Sequence, residues 1–215
     1  MKAVLFDMDG VLINSERFYM DGTLNWMREL GYTGTYDEIC TIIGTTMQVT
    51  YEMLVEMLDN RYTIDEITVV NEKYFDIDHP LDYSTIAKPG AIDLLKRCKE
   101  LNLKVALCSS SSIDSINKAV DGCGFRPYLD FIVSGEQFKE SKPNPEIYNH
   151  ASLVLEVESK DCVVVEDSQY GIEAGKAALM TVIALKDECI PNKQDEADYI
   201  VSHLNEAKEL IEKWV

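Results

Sequence analysis

Met1-Lys2-Ala3-Val4-Leu5-Phe6-Asp7-Met8-Asp9-Gly10 joins an apolar run to an acidic loop, and the fold class follows from that junction. Ala3–Phe6 is a short run that is apolar at every position, the pattern of a strand buried on both faces of a parallel sheet. The run stops at two carboxylates one residue apart, and Gly10 permits a sharp exit. In an open α/β sheet, ligands bind beyond the carboxyl ends of the strands. Asp7 and Asp9 are therefore expected at such a mouth. Taken alone, Asp-x-Asp-Gly reads equally well as an acidic loop or a helix cap.

Working outward, similar runs recur at Val105–Cys108, Phe131–Val133, Val163–Val165, Val182–Leu185 and Tyr199–Val201. Helical stripes separate them: Ala91, Leu94, Leu95, Cys98 and Leu101; Ile113, Ile116, Val120 and Cys123; Ile147, Ala151, Val154 and Leu155. Leu204, Ala207, Leu210, Ile211 and Trp214 make the last one. Strand alternating with helix predicts a doubly wound, mostly parallel α/β sheet of Rossmann-like kind. Residues 14–85 break the alternation, with helical stripes at Met20, Leu24 and Met27, at Tyr51, Leu54, Val55 and Leu58, and more weakly over Thr63–Ile77. Gly31 is the expected stop of the first of these helices. The reading is an α/β core of 1–13 and 86–215 with an all-α insertion at 14–85. The chain is expected to rejoin the core near Lys88-Pro89-Gly90, with Pro89 in the first turn of the next helix.

Composition bounds the function. The 215 residues are 46% hydrophobic and 27% charged, the balance of a folded globule rather than a disordered chain. Net charge is −18, from 20 basic and 38 acidic side chains. Such a surface repels nucleic acid and anionic lipid, which require clustered Lys and Arg. The six cysteines show no C-x-x-C spacing and no companion histidines, so a zinc site is not expected. Neither a signal peptide nor an apolar run near the ~20 residues of a membrane span is visible. The expected setting is a reducing cytoplasm.

Three further strand ends carry polar side chains. Ser109 and Ser110 follow Val105–Cys108, where hydroxyls and backbone N–H groups suit a phosphate oxygen. Ser111 and Ser112 read instead as N-caps of the next helix. Lys142 lies in Ser141-Lys142-Pro143-Asn144-Pro145, whose prolines make a stiff mount; a lone lysine is otherwise a solvated surface residue. Glu166 and Asp167 end Val163–Val165. Four carboxylates at adjacent strand ends would repel one another unless a cation sat among them, and hard oxygen donors favour Mg²⁺ over zinc.

A carboxylate pair, a hydroxyl, a lysine and a second carboxylate pair, in that order, together with an insertion after the first strand, resemble the haloacid dehalogenase superfamily. The inserted helices resemble the helical cap of its β-phosphoglucomutase and phosphatase subgroup. The resemblance implies Mg²⁺-dependent hydrolysis of small phosphorylated metabolites under a mobile cap. In it Asp7 is the nucleophile that forms an aspartyl-phosphate, and Asp9 is the acid and base. Asp7, the Asp9 carbonyl and Asp167 hold the metal, with Glu166 acting directly or through water, while Ser109, Ser110 and Lys142 hold the phosphoryl oxygens. A mutase of the β-phosphoglucomutase type is the alternative. The positions of its cationic cap residues are Tyr19 and Met47 here, the latter aligned from Gly44, and Ser112-Ile113 replaces its Lys-Asn, which favours the phosphatase. A non-catalytic receiver-like module is the other alternative, against which the long insertion and Lys142-Pro143 argue.

Overall fold

The six apolar runs become six strands of one all-parallel sheet in the computed structural model, which describes residues 1–43, 47–186 and 193–215. Gly44 and Cys189 lie outside the described residues. In chain order the strands are β1 (Ala3–Phe6), β2 (Lys104–Ser109), β3 (Phe131–Ser134), β4 (Cys162–Glu166), β5 (Thr181–Leu185) and β6 (Tyr199–Val201), and their spatial order is β3-β2-β1-β4-β5-β6. β1 is central, with β2 on one side and β4 on the other. Between β1 and β4 the strand order turns back, which makes their carboxyl ends the topological switch point where α/β sheets bind ligands.

In chain order the α-helices are α1 (Ser15–Glu29), α2 (Tyr36–Cys40), α3 (Met47–Met57), α4 (Ile64–Glu72), α5 (Ala91–Glu100), α6 (Ile113–Gly122), α7 (Glu146–Val154), α8 (Gln169–Ala177) and α9 (Leu204–Lys213). The last five, α5–α9, pack on the two faces of the sheet. Ile147, Tyr148 and Ala151 of α7 and Ile172 and Ala174 of α8 pack on Ala3, Leu5, Ala106, Cys108, Val164 and Val182. Side chains alternate along a strand, so Val4, Phe6, Val105 and Leu107 point to the other face, where α5 meets β2 and α9 meets β5. All of these strand residues are buried. Cys98, Cys108, Cys123 and Cys162 are buried free thiols, and burial pushes each thiol up from its ordinary range.

The chain divides into two compact units, Met1–Asn14 with Tyr83–Val215, and Ser15–Asp82. The division falls before Tyr83 because Tyr83–Thr85 packs with α6: the Cys123 thiol donates to the Tyr83 carbonyl at 2.9 Å. The departing and returning segments of the chain are tied together, with Asn14 N–H donating to Ile86 O and Lys88 N–H to Leu12 O, each at 2.8 Å. Pro89 does not sit in a helix. Lys88–Ala91 is a type II turn closed by Ala91 N–H on Lys88 O, with Pro89 at its second position. Gly90, at φ +88°, takes the left-handed third position and is the N-cap of α5.

Among its described residues the Ser15–Asp82 unit holds helices joined by turns and loops, with no strand, and it has its own core of Trp26, Met27, Ile39, Leu54, Leu58 and Ile67. α1 ends before Gly31, which adopts φ +90°. Local signals fix two starts: Thr35 with Glu38, and Thr63 with Glu66, form reciprocal capping boxes on α2 and α4. α4 runs into a π-helical turn at Lys73–Asp78, so the weak stripe over Thr63–Ile77 holds two kinds of helix. Among the described residues, no helix is long and apolar enough to cross a membrane.

Candidate active site

Register sets the site. Phe6 pairs with Val165 on one side and Leu107 on the other, so the next residues, Asp7, Glu166 and Cys108, stand side by side at this end of the sheet. Asp7 N–H donates to Val165 O at 3.0 Å, which fixes its backbone to the neighbouring strand. Asp7, Glu166 and Asp167 are all buried, and each can present a carboxylate oxygen within 4.8 Å of the others.

Lys142 joins three of the strand ends. Its Nζ donates to Asp7 Oδ1 at 2.5 Å, to Glu166 Oε1 at 2.7 Å and to the Cys108 carbonyl at 3.0 Å. An ammonium has three protons, and each one meets an acceptor here. The side chain is only 6% exposed, so the prior expectation for a lone lysine fails at this position. The amine also lies 5.0 Å from the ring centroid of Tyr148, with the ring supplying a cation–π contact. Asn144 Oδ1 accepts from Glu146 N–H at 2.9 Å and Pro145 is the N-cap of α7, which anchors the Lys142 loop to the helix behind it.

Glu166 is the most heavily bonded acid. Oε1 accepts from Lys142 and, at 2.9 Å, from the buried Tyr148 hydroxyl. Oε2 accepts from the N–H groups of Asp167 and Ser168 and from Ser168 Oγ. Burial alone would raise this carboxyl, but Lys142 and these donors outweigh it and hold it below its usual range. Asp7 goes the other way. Burial pushes it up to about 8; Lys142 pulls against that, while Glu166 and Asp9 push further. Burial would lower the Lys142 ammonium, yet the Asp7 and Glu166 carboxylates hold it well above its usual range.

These residues fit a hard divalent cation. Three buried carboxylates lie within 4.8 Å of one another and Lys142 pairs with two of them, Asp7 and Glu166; concentrated buried negative charge calls for a cation. Every donor is oxygen, which suits Mg²⁺-like ions rather than zinc. Asp7 and Asp167 are the better candidates for direct ligation, because five donors already occupy the Glu166 oxygens. Two glycines make room for the acids. Gly10, at φ +77°, leaves space that a Cβ would take from the Asp167 carboxylate, and a Cβ at Gly171 would fall on the Glu166 carboxylate. Gly171→Ala is thus expected to destabilise by about 1–3 kcal/mol and to lower activity with it, because Glu166 has no other place to go. Thermal melts and a rate measurement check this; an unchanged Tm would mean that the carboxylate is not confined.

The two serines are also brought to the site. Ser109 ends β2, is 1% exposed, and its Oγ accepts from Ser111 N–H at 3.0 Å, leaving it a proton of its own to give. Ser110 is exposed, with Oγ 3.4 Å from Ser141 Oγ beside the Lys142 loop. Asp9 is half-buried and stands outside the acidic cluster, where its Oδ2 accepts from Ser111 Oγ at 2.7 Å. Of the two cap candidates, Ser112 is the N-cap of α6 and Ser111 is not.

Sequence reasoning missed Tyr148 and Gln194. Tyr148 follows Ile147 of an apolar stripe and resembles ordinary core. Gln194 is 6% exposed, and its amide donates to the Asp167 carbonyl at 2.6 Å and the Leu185 carbonyl at 2.9 Å, tying the acidic loop to the end of β5. No local pattern marks it, since its partner is 27 residues away.

Residues 4–185 match the family model described as haloacid dehalogenase-like hydrolase. The phosphorylated carbohydrates phosphatase of Thermotoga maritima is 31% identical over 180 residues, covering 83% of this chain and 82% of that protein. Protein SUPPRESSOR OF QUENCHING 1 of Arabidopsis thaliana is 33% identical over 195 residues, 86% of this chain but only 18% of that protein. The crystal structure of a HAD family hydrolase from Deinococcus radiodurans, with bound phosphate and sodium, superposes with a TM-score of 0.85 at 22% identity. It covers 99% of this chain and 96% of that one, a likeness of fold.

Proposed function

The chain belongs to the haloacid dehalogenase-like hydrolases, and on that premise we propose that it is a Mg²⁺-dependent phosphatase of small phosphorylated metabolites. The observation that carries this reading is Lys142, whose ammonium ties the ends of β1, β2 and β4 to one point beside Asp7. An in-line phosphoryl transfer needs a nucleophile, a cation and donors for the equatorial oxygens at one place.

In the proposed reaction an Asp7 carboxylate oxygen attacks phosphorus as the bond to the leaving oxygen breaks, and Asp9 gives that oxygen its proton. Asp9 then takes a proton from the water that attacks the aspartyl-phosphate, which releases inorganic phosphate and restores Asp7. Splitting the displacement in two replaces one hard step with two easier ones. Lys142, the Ser109 hydroxyl and the Ser110 backbone hold the transferring oxygens. Asp7, Asp167 and the Asp9 carbonyl would hold Mg²⁺, which supplies positive charge to the phosphoryl group. Glu166 would act one layer further back, by orienting Lys142 and the Asp167 turn.

Water rather than a second sugar hydroxyl is the proposed acceptor. Tyr19 and Met47 stand at the positions of the mutase's cationic residues. Tyr19 packs edge-on to Phe18 and Phe75, and Met47 is 61% exposed, so neither supplies a charge for a second phosphate. The Ser15–Asp82 unit, inserted directly after the Asp7–Asp9 loop, is the proposed cap and specificity module.

A panel of phosphate monoesters with p-nitrophenyl phosphate, assayed with and without Mg²⁺, tests the reading. Turnover is expected only with metal; a protein inert toward every ester would fit the receiver-like module instead. Metal binding should itself depend on pH. The cation binds the ionised Asp7 carboxyl, which burial pushes up to about 8, so affinity should rise as pH climbs toward that value and a proton should be released on binding. Calorimetry in buffers of different ionisation enthalpy reads that proton, and its absence would count against Asp7 as a ligand.

A further inference from the structure

Ser111 lies between the end of β2 and the start of α6, where a helix cap would be its ordinary role. Ser112 fills that role, its Oγ accepting from Ser115 N–H at 3.2 Å. Ser111 instead reaches 102 residues back in sequence, and its hydroxyl donates to Asp9 Oδ2 at 2.7 Å.

The position of that hydroxyl is set by a small scaffold at the end of β3. Ser134, fully buried, donates from Oγ to the Ser111 carbonyl at 2.7 Å. The same Oγ accepts from Glu136 N–H at 3.2 Å. Glu136 Oε2 accepts from Ile113 N–H at 2.9 Å, which pins the loop on the other side of Ser111. On the near side, Ser111 N–H donates to Ser109 Oγ. The backbone on both sides of Ser111 is therefore held by hydrogen bonds, and a hydroxyl on held backbone can fix the rotation of the carboxyl it touches.

We propose that Ser111 is a positioning residue that orients the Asp9 carboxyl for proton transfer to the leaving oxygen, with Ser134 and Glu136 as its support. The proposal rests on the reading of Asp9 as acid and base. Proton transfer by a placed side chain contributes about 10²–10⁴-fold, and it contributes most where the leaving oxygen is a poor leaving group. An alkoxide needs the proton; p-nitrophenolate departs without one. Loss of orientation should therefore appear on alkyl esters and hardly on the aryl ester, whereas a general loosening of the loop would slow both.

The test compares Ser111→Ala, Ser111→Thr and Asp9→Asn on p-nitrophenyl phosphate and on the best alkyl phosphate of the panel. The measured quantity is kcat/KM, which reports the phosphorylation step. Ser111→Ala is expected to lose about 10–100-fold on the alkyl ester, to lose at least tenfold less on the aryl ester, and to keep its Tm. Ser111→Thr, which keeps the hydroxyl, should restore most of the alkyl rate. Equal losses on the two esters, or no loss on the alkyl one, overturn the proposal. Asp9→Asn separates the two layers. If it keeps alkyl turnover, the acid–base reading fails. If it loses alkyl turnover while Ser111→Ala does not, only the positioning role fails.

Discussion

Asp7→Asn is expected to abolish turnover and to leave the metal-free protein more heat-stable at about pH 8 than the wild type. The first half follows from the proposed chemistry: an amide oxygen cannot form the covalent phosphoryl intermediate, and loss of a nucleophile costs on the order of 10⁶-fold in kcat. The second half follows from the burial of Asp7 beside Glu166 and Asp9, which outweighs the pull of Lys142. The folded-state value for Asp7 is raised to about 8, against 3.8 when exposed. Between those values the folded chain holds a proton that the unfolded chain has lost, so this group's stabilising contribution falls as pH rises through the window. Asparagine has no such proton, so the melting temperatures of variant and wild type should separate between about pH 5 and about pH 8 in the presence of a chelator. A gap that stays constant with pH would show that Asp7 is ionised in the metal-free fold. Retained turnover would remove it as nucleophile.

Lys142→Met should cost about 10³–10⁴-fold in kcat/KM, the range for removing a cation from a phosphoryl-transfer site. It should also cost stability, because a buried pair broken on one side leaves the other charge uncompensated, at about 3–5 kcal/mol. Lys142→Arg should not rescue. The ammonium satisfies three acceptors on three different strand ends from a single atom, and a planar guanidinium cannot reproduce that convergence. The two effects can be separated. Adding Glu166→Gln to Lys142→Met removes a second buried charge and should return much of the stability, while activity stays lost. Denaturant melts and steady-state rates on the single and double variants decide it. Recovery of both together would mean that Lys142 is a structural counter-ion only, and recovery of neither would mean that the Glu166–Lys142 pair is not what holds this region.

Much of this protein is legible from local pattern. A strand buried on both faces must be apolar at every position, as the central strands are, and all six apolar runs became strands of the sheet, although Tyr199 and Ile200 of the edge strand β6 are exposed. The acids, serines and lysine that follow them stand out because a polar residue at the end of such a run has no packing role. Pro89 shows the limit of local reading. Proline before glycine fits a helix start and a type II turn alike, and the turn was chosen because Gly90 could take φ +88° and pass the chain into α5. Ser111 shows it again: two adjacent serines carry the same capping propensity, and only one of them can occupy the cap.

Local pattern was enough to specify the doubly wound sheet, the helical insertion and the polar residues beyond the strands, since periodicity and turn propensity act over a few residues. The partnerships between those residues arose only in the packed fold. The registers of β1 with β2 and β4 set Asp7 beside Cys108 and Glu166. That placement lets Lys142 meet Asp7 across 135 residues, lets Tyr148 lock Glu166, and lets Gln194 hold Asp167 by its backbone. A hydrogen bond is short and directional, so its partner is fixed by where the packed elements bring two atoms, and no local pattern in the chain encodes that distance.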